Sequence, residues 1–249
     1  MGQRLCSLAA DQPDRFNLVA AIEHATHPRL GEPAVPDAPG SPLHLSDELA
    51  VQPDVLIDFS LPVATAGVIE LCRDRGIPLV LGTTGLTDDH HQQLDDAAAR
   101  IPVCQSSNFS LVVNVLWKLA ADAARLLGED YDIEVLETHH RDKKDAPSGT
   151  ARTLAQQIVE AVPDRGLQVR HTRDGEHDPR KPEDLTIQTL RLGDHPGEHT
   201  AYFAAPGERL ELRHVSTTRD SYAAGALQAA TWLADQPAGR YDMADVLGL

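Results

Sequence analysis

Residues 131–162 read YDIEVLETHHRDKKDAPSGTARTLAQQIVEAV, and the hydrophobic period changes within them. Tyr131–Glu137 alternates, with Tyr131, Ile133 and Val135 on one side and acids on the other, which predicts a strand. Leu154, Ile158, Ala161 and Val162 form a helical stripe over Thr150–Val162, and Pro163-Asp164-Arg165-Gly166 ends that helix. The loop between them gathers His139, His140, Arg141, Lys143 and Lys144 and closes on Pro147-Ser148-Gly149-Thr150. Ser148 or Thr150 caps the helix, and Gly149 leaves the backbone open to a ligand. The first amides of the helix, at the positive end of its dipole, attract a carboxylate or phosphate. Crowded cations also depress one another's pKa, which makes a lysine or histidine a usable acid near neutral pH. The competing reading is an ordinary solvated basic turn ahead of a capped helix.

Outward from this stretch the chain alternates strands and helices. Met1–Ala10 predicts a short helix and Phe16–Ile22 a strand, with Glu23 at its end. Residues 26–53 hold six prolines and no period, so they read as loop with a brief helix near Ser46–Ala50. Asp54–Phe59, Pro78–Leu81 and Pro102–Cys104 are short apolar strands, of the kind found in a buried parallel sheet. Helices are expected over Val63–Arg75, over Thr87–Arg100 with Thr87 as cap, and over Val112–Leu127. Each of the three strands opens onto a polar or glycine turn: Phe59-Ser60, Gly82-Thr83-Thr84-Gly85 and Ser106-Ser107-Asn108-Phe109-Ser110. In a doubly wound sheet, ligands lie at those carboxyl ends. An acid after the second strand is where such a fold holds an adenosine ribose, and Glu23 stands at such a place. Beyond the opening stretch, 166–182 shows no clear element. Leu185–Leu190, Thr200–Ala204 and Arg209–Val215 read as strands, Ser221–Leu233 as a helix and Asp242–Leu249 as a short tail.

Composition excludes several classes. With 22 basic and 38 acidic residues the formal charge is −16, which repels nucleic acid and anionic membranes. No apolar run reaches the length of a membrane span, and residues 1–10 lack the pattern of a secretion signal. Cys6, Cys72 and Cys104 are scattered and odd in number, as expected of buried thiols in a reducing cytoplasm. No metal site is expected: adjacent His139 and His140 point apart on extended backbone, and His90-His91 sit on a solvated helix without a partner ligand.

The string ETHHRDKKDAPSGTA, residues 137–151, closely resembles the signature E-x-H-H-x-x-K-x-D-A-P-S-G-T-A of the dihydrodipicolinate reductases. Asp58-Phe59-Ser60, Gly82-Thr83-Thr84-Gly85 and 106–110 resemble further loops of that family in the same order, as do Arg191-x-Gly193-Asp194 and Gly197-Glu198-His199. The resemblance implies a catalytic pair, His139 and Lys143, and substrate-binding His140, Ser148, Gly149 and Thr150. Cofactor contacts would fall to Glu23, Phe59, Gly82, Thr84, Ser107 and Phe109, with NADH or NADPH as cofactor; His24, where many relatives have arginine, favours NADH. It implies an α/β fold with a Rossmann-like parallel sheet in a dinucleotide-binding domain, 1–109 and 220–249. An α+β domain with an open mixed sheet, 110–219, would bind a small cyclic dicarboxylate and carry homotetramer contacts. The start, Met1-Gly2-Gln3-Arg4-Leu5, resembles the end of the family's G-x-x-G-R-M-G, so the first strand and most of the phosphate loop are expected to be missing, and a start codon further upstream is the simplest account. The charged 173–183 segment departs from the family's loop. Two alternatives stay open: another nicotinamide-dependent dehydrogenase, and a non-catalytic dicarboxylate-binding remnant.

Overall fold

A computed structural model describes residues 1–35, 43–173, 175 and 179–249. The chain divides into two compact units, Met1–Ser110 with Asp220–Leu249, and Leu111–Arg219.

In the first unit the apolar runs become three short parallel strands, β1 (Leu56–Asp58), β2 (Leu79–Leu81) and β3 (Pro102–Gln105). A fourth parallel strand, β9 (Gly239–Tyr241), completes the order β1-β2-β3-β9. Helix α1 spans Gly2–Ala10, α2 Pro62–Arg75, α3 Asp88–Ala98, α6 Asp220–Leu233 and α7 Met243–Leu247. Helix α2 stops where Gly76 takes φ 65° and returns its amide to Cys72 and Arg73. Leu79, Leu81, Leu94, Ile69, Ile77 and Val103 are fully enclosed between sheet and helices, each contributing roughly 1.5–3 kcal/mol of burial.

The second unit is a mixed sheet, order β5-β6-β4-β7-β8, covered on one face by α4 (Leu111–Leu127) and α5 (Gly149–Ala161). Its strands are β4 (Asp132–His139), β5 (Gln168–Arg170), β6 (Asp184–Arg191), β7 (Gly197–Ala205) and β8 (Glu208–Ser216). β5, β6 and β4 run parallel, while β7 and β8 alternate. The register orders the covered face into rows. Leu185, Ile133 and Phe203 form one, and Ile187, Val135, Ala201 and Leu212 the next, all packed into the core. The following row is Thr189, Glu137, His199 and His214, and beyond it lie Arg191, His139, Gly197 and Ser216. One continuous face therefore passes from hydrocarbon to ionisable groups within two residues of strand.

Four expectations fail. Phe16–Ile22 is not a strand: Ile22 makes an isolated parallel bridge to Ser46, and no longer ladder forms around it. Residues 46–50 form no helix, because the Ser46 amide and carbonyl are taken by Ala21 and Glu23; residues 36–42 of the same loop lie outside those described. The tail Asp242–Leu249 contains α7, and β9 stands just before it, both too short to show a period. Residues 168–170 form β5, a surface strand without alternation in burial. Within 173–183, where 174 and 176–178 lie outside the described residues, Arg173 pairs with Asp184 at 3.0 Å and Arg180 with Asp132 at 2.6 Å.

Candidate active site

The ionisable rows converge on Glu137. Its side chain is 0% exposed, at the point where the hydrophobic face of β4 ends. An unpaired carboxylate there is costly, and the fold surrounds it with donors. Oε1 accepts from the Ser148 amide at 3.1 Å, Thr189 Oγ1 at 3.0 Å and Arg191 Nη2 at 2.9 Å. Oε2 accepts from Arg191 Nη1 at 2.9 Å and His139 Nδ1 at 2.5 Å. Burial pushes the carboxyl up, but the bonds from His139 and Arg191, the His139 charge and Thr189 outweigh it and bring it down to about 2.

His139 is thereby oriented. A carboxylate only accepts, so Nδ1 is the donor and Nε2 is the nitrogen left to face a ligand. Its ring lies so close to β7 that a Cβ at Gly197 would stand 2.8 Å from Nε2. The loop after β4 is pinned to the one after β6: His140 donates its amide to His195 O and Arg141 to Gly193 O. Lys143 Nζ rests 2.8 Å from Asp145 Oδ1, and the Asp145 carbonyl accepts from Arg191 Nη2 at 2.6 Å. The cation crowding expected of 139–144 is thus relieved at His139 and Lys143, each of which has a carboxylate partner. Lys144 has no assigned part.

Of the two candidate caps, Ser148 is the one used: its Oγ accepts from Ala151 N at 3.2 Å. Thr150 lies inside the helix, its carbonyl accepting from Trp117 Nε1 at 3.3 Å. A Cβ on Gly149 would meet nothing within 4 Å, so the start of α5 is left uncovered. In the same unit, His140, Arg141, Asp142, Gly193, Asp194 and Arg219 line a cleft of about 550 Å³.

Behind Ser148 sits His199, buried and with Nε2 3.1 Å from Ser148 Oγ. Burial first, then the charges of His139 and His214, lower its pKa to about 3. Burial likewise lowers His214. These shifts set the pH dependence of the fold. Unfolded, His199 binds a proton below its ordinary 6.5, whereas the fold resists until about 3; for Glu137 the window runs from 4.5 to about 2. The unfolded state binds more protons throughout, so stability falls with falling pH. Urea midpoints are expected to drop steadily from about pH 6.5 to about pH 4. A midpoint constant across that range would contradict a neutral His199.

In the first unit the three turns meet at the carboxyl ends of β1, β2 and β3. Asp58 Oδ2 accepts from Thr83 Oγ1 at 2.9 Å, and Gly82 N donates to Asp58 O at 2.8 Å. The Phe59 ring covers Gly82 so closely that a Cβ there would lie 2.3 Å away. Phe109 packs edge-on to Phe59, centroids 5.5 Å apart, and is itself 1% exposed. Its ring thus supports Phe59 from behind. Thr84 and Ser107 are exposed beside it, while the exposed Glu23 stands apart, its amide bonded to Ser46 O. A half-buried aromatic face, two hydroxyl side chains and a close backbone turn suit a planar nicotinamide amide.

Glu137, Thr189, Arg191, His199 and Arg219 carry no role of their own in the sequence. A signal for four of them existed in strand parity: Glu137 shares the parity of Ile133 and Val135, Thr189 and Arg191 that of Leu185 and Ile187, and His199 that of Ala201 and Phe203. Of the pair His90-His91, His90 has a structural use: its Nδ1 accepts the Thr87 amide in a capping box. Cys72 and Cys104 are buried thiols pushed up to about 12. Among the described residues no group of His, Cys, Asp and Glu is placed to hold a metal, and no helix is long and apolar enough to cross a membrane.

Residues 1–109 match the family model described as dihydrodipicolinate reductase, N-terminus, and residues 112–247 the one described as dihydrodipicolinate reductase, C-terminus. The sequence is 44% identical to a 4-hydroxy-tetrahydrodipicolinate reductase of Anaeromyxobacter sp. (strain Fw109-5), over 100% of this chain and 94% of that one. It is 43% identical to a protein of the same name from Alkalilimnicola ehrlichii, over 100% and 95%. A solved structure of dipicolinate-bound dihydrodipicolinate reductase from Paenisporosarcina sp. TG-14 superposes with a TM-score of 0.75 at 25% identity, covering 97% of this chain and 92% of that one. An amine dehydrogenase from Mycobacterium smegmatis shares the fold at a TM-score of 0.58 and 11% identity, covering 96% and 91%.

Proposed function

The chain belongs to the dihydrodipicolinate reductase family, and from that premise we propose that it reduces 4-hydroxy-tetrahydrodipicolinate to tetrahydrodipicolinate with NADH or NADPH, a step of lysine and diaminopimelate biosynthesis. The observation that carries this reading is the Glu137-centred network, which holds His139 and the Ser148 amide at the uncovered start of α5. In the dinucleotide-binding unit, Phe59, Gly82, Thr84 and Ser107 form the cradle for the nicotinamide, with Phe109 behind Phe59 and Glu23 directed at the adenosine ribose. When bound, the reduced nicotinamide supplies the hydride. In the other unit, Ser148, Gly149, Thr150 and the amides of α5 clamp one carboxylate of the cyclic substrate. His140 and the neighbouring cleft, with Arg141 and Arg219, receive the rest of the dianion. Lys143 delivers the proton that must accompany the hydride, and His139 stabilises charge and orients the ring. The imidazole of His24, already hydrogen-bonded to Thr26 at 2.9 Å, meets a 2′-phosphate poorly and favours NADH. A homotetramer built on the open sheet and a cytoplasmic location complete the reading.

The test is NADH and NADPH oxidation by the purified chain, with substrate generated in place from pyruvate and aspartate semialdehyde. Turnover dependent on both precursors is expected, faster with NADH. Binding of pyridine-2,6-dicarboxylate without turnover would favour the non-catalytic alternative. A related prediction concerns Gly197, where the Cβ of Gly197→Ala would press on His139. A displacement of about 1 Å there is expected to lower kcat/KM by about 10²-fold with NADH binding unchanged, as read by steady-state kinetics and cofactor titration. Unaltered kcat/KM would remove His139 from the assigned role.

A further inference from the structure

The inference concerns His199, and it rests on the reading just given, in which Ser148 meets the substrate. The Ser148 hydroxyl has one proton to donate and two lone pairs. One lone pair is used: Oγ accepts from Ala151 N at 3.2 Å in capping α5. The second neighbour of Oγ is His199 Nε2 at 3.1 Å, and the direction of that bond decides what Ser148 offers a ligand.

If Ser148 donates to Nε2, the neutral imidazole must carry its proton on Nδ1. That nitrogen is buried with no hydrogen-bond partner among the described residues, so the arrangement leaves an orphaned N–H in the interior. If Nε2–H donates to Oγ, the orphan at Nδ1 is only a lone pair. Buried donors without partners are rarer and costlier than under-used acceptors. A doubly protonated ring is disfavoured above all by burial, which outweighs the attraction of the Glu137 carboxylate. With Nε2 as donor, both lone pairs of Oγ are occupied from within the protein. The Ser148 proton then has no internal acceptor among the described residues, and it turns outward past the start of α5.

We propose that His199 is a positioning residue: held as the Nε2–H tautomer behind Ser148, it converts the Ser148 hydroxyl into a dedicated donor to a substrate carboxylate. The β4–β7–β8 register makes this possible. Glu137 and His199 are direct cross-strand partners, so the same row that orients His139 through one carboxylate oxygen fixes the Ser148 amide through the other and the Ser148 hydroxyl through His199.

The test combines a tautomer assignment with a thermodynamic cycle. Two-bond 15N–1H correlation of the imidazoles in the intact protein should show His199 protonated on Nε2 at neutral pH; protonation on Nδ1 would overturn the proposal. Calorimetric titration with pyridine-2,6-dicarboxylate should give roughly tenfold weaker binding for both Ser148→Ala and His199→Phe. Their combination should be no weaker than Ser148→Ala alone, because His199 acts only through that hydroxyl. His199→Gln, whose amide also donates, should recover most of the affinity. NADH affinity should be unchanged in all. Additive losses, or a Gln variant as weak as Phe, would overturn the inference while leaving the reductase reading intact. A wild-type chain that binds no dicarboxylate would overturn both.

Discussion

Replacing Arg191 with methionine is expected to cost the fold about 3–5 kcal/mol and to abolish turnover. The guanidinium holds both oxygens of Glu137 at 2.9 Å, and Glu137 is wholly enclosed. Removing it leaves a buried carboxylate with only neutral or titratable donors, a larger penalty than the net value of the pair itself. The same side chain donates to the carbonyl of Asp145, the residue that pairs with Lys143. Losing Arg191 therefore frees the signature loop as well as the carboxylate. Arg191→Lys should rescue little, since one ammonium cannot reproduce the fork that spans both carboxylate oxygens and a carbonyl. Arg191→Met combined with Glu137→Gln should regain a large part of the stability, the buried charge being gone, but no activity, because His139 is no longer oriented. Urea denaturation and the NADH assay check both halves. A loss of less than about 1 kcal/mol in Arg191→Met would mean that Glu137 is not held as an anion.

How much of this was legible depends on how local each signal is. The switch from period two to period 3.6 over 131–162 appears as β4, loop and α5, within a residue or two at each end, because both periods are written in the local sequence even though the ladder partners of β4 are the distant β6 and β7. The three turns after β1, β2 and β3 were legible as turns gathered at one end of the sheet; the packing of Phe59 on Phe109 was not, since it forms only through the parallel register. Phe16–Ile22 carried a strand's composition, but a strand is completed by partners, and Ile22 is given only Ser46. Parity was the clue left unused. Glu137 reads as one more acid in an acidic strand, yet its odd number places it with Ile133 and Val135 on the buried face. Arg191, 54 residues away, becomes its partner only once β6 is laid beside β4. The dependence of the site on Arg191 and His199 is therefore non-local in sequence and local in the sheet.

Lys143→Ala is expected to lower kcat by about 10²–10⁴-fold, the usual value of a positioned general acid. Lys143 is held against Asp145, two residues along, and its side chain is 21% exposed, so the ammonium is fixed without being sealed from a ligand. Asp145 feels the pairing: burial pushes its carboxyl up, but the bond and charge of Lys143 hold it below the ordinary range. An electrostatic role and a proton-donating role both fit that geometry, and Lys143→Arg separates them. A guanidinium keeps the positive charge and the contact to Asp145 but does not release a proton in the working range. If Lys143 donates the proton, Lys143→Arg should bind pyridine-2,6-dicarboxylate within about threefold of wild type and still show the low kcat of Lys143→Ala. NADH affinity should be unchanged in both variants, since the nicotinamide cradle belongs to the other unit. Near-normal kcat in Lys143→Arg would make the residue an electrostatic clamp, and the proton would then have to come from His139, whose Nε2 is the nitrogen that Glu137 leaves available.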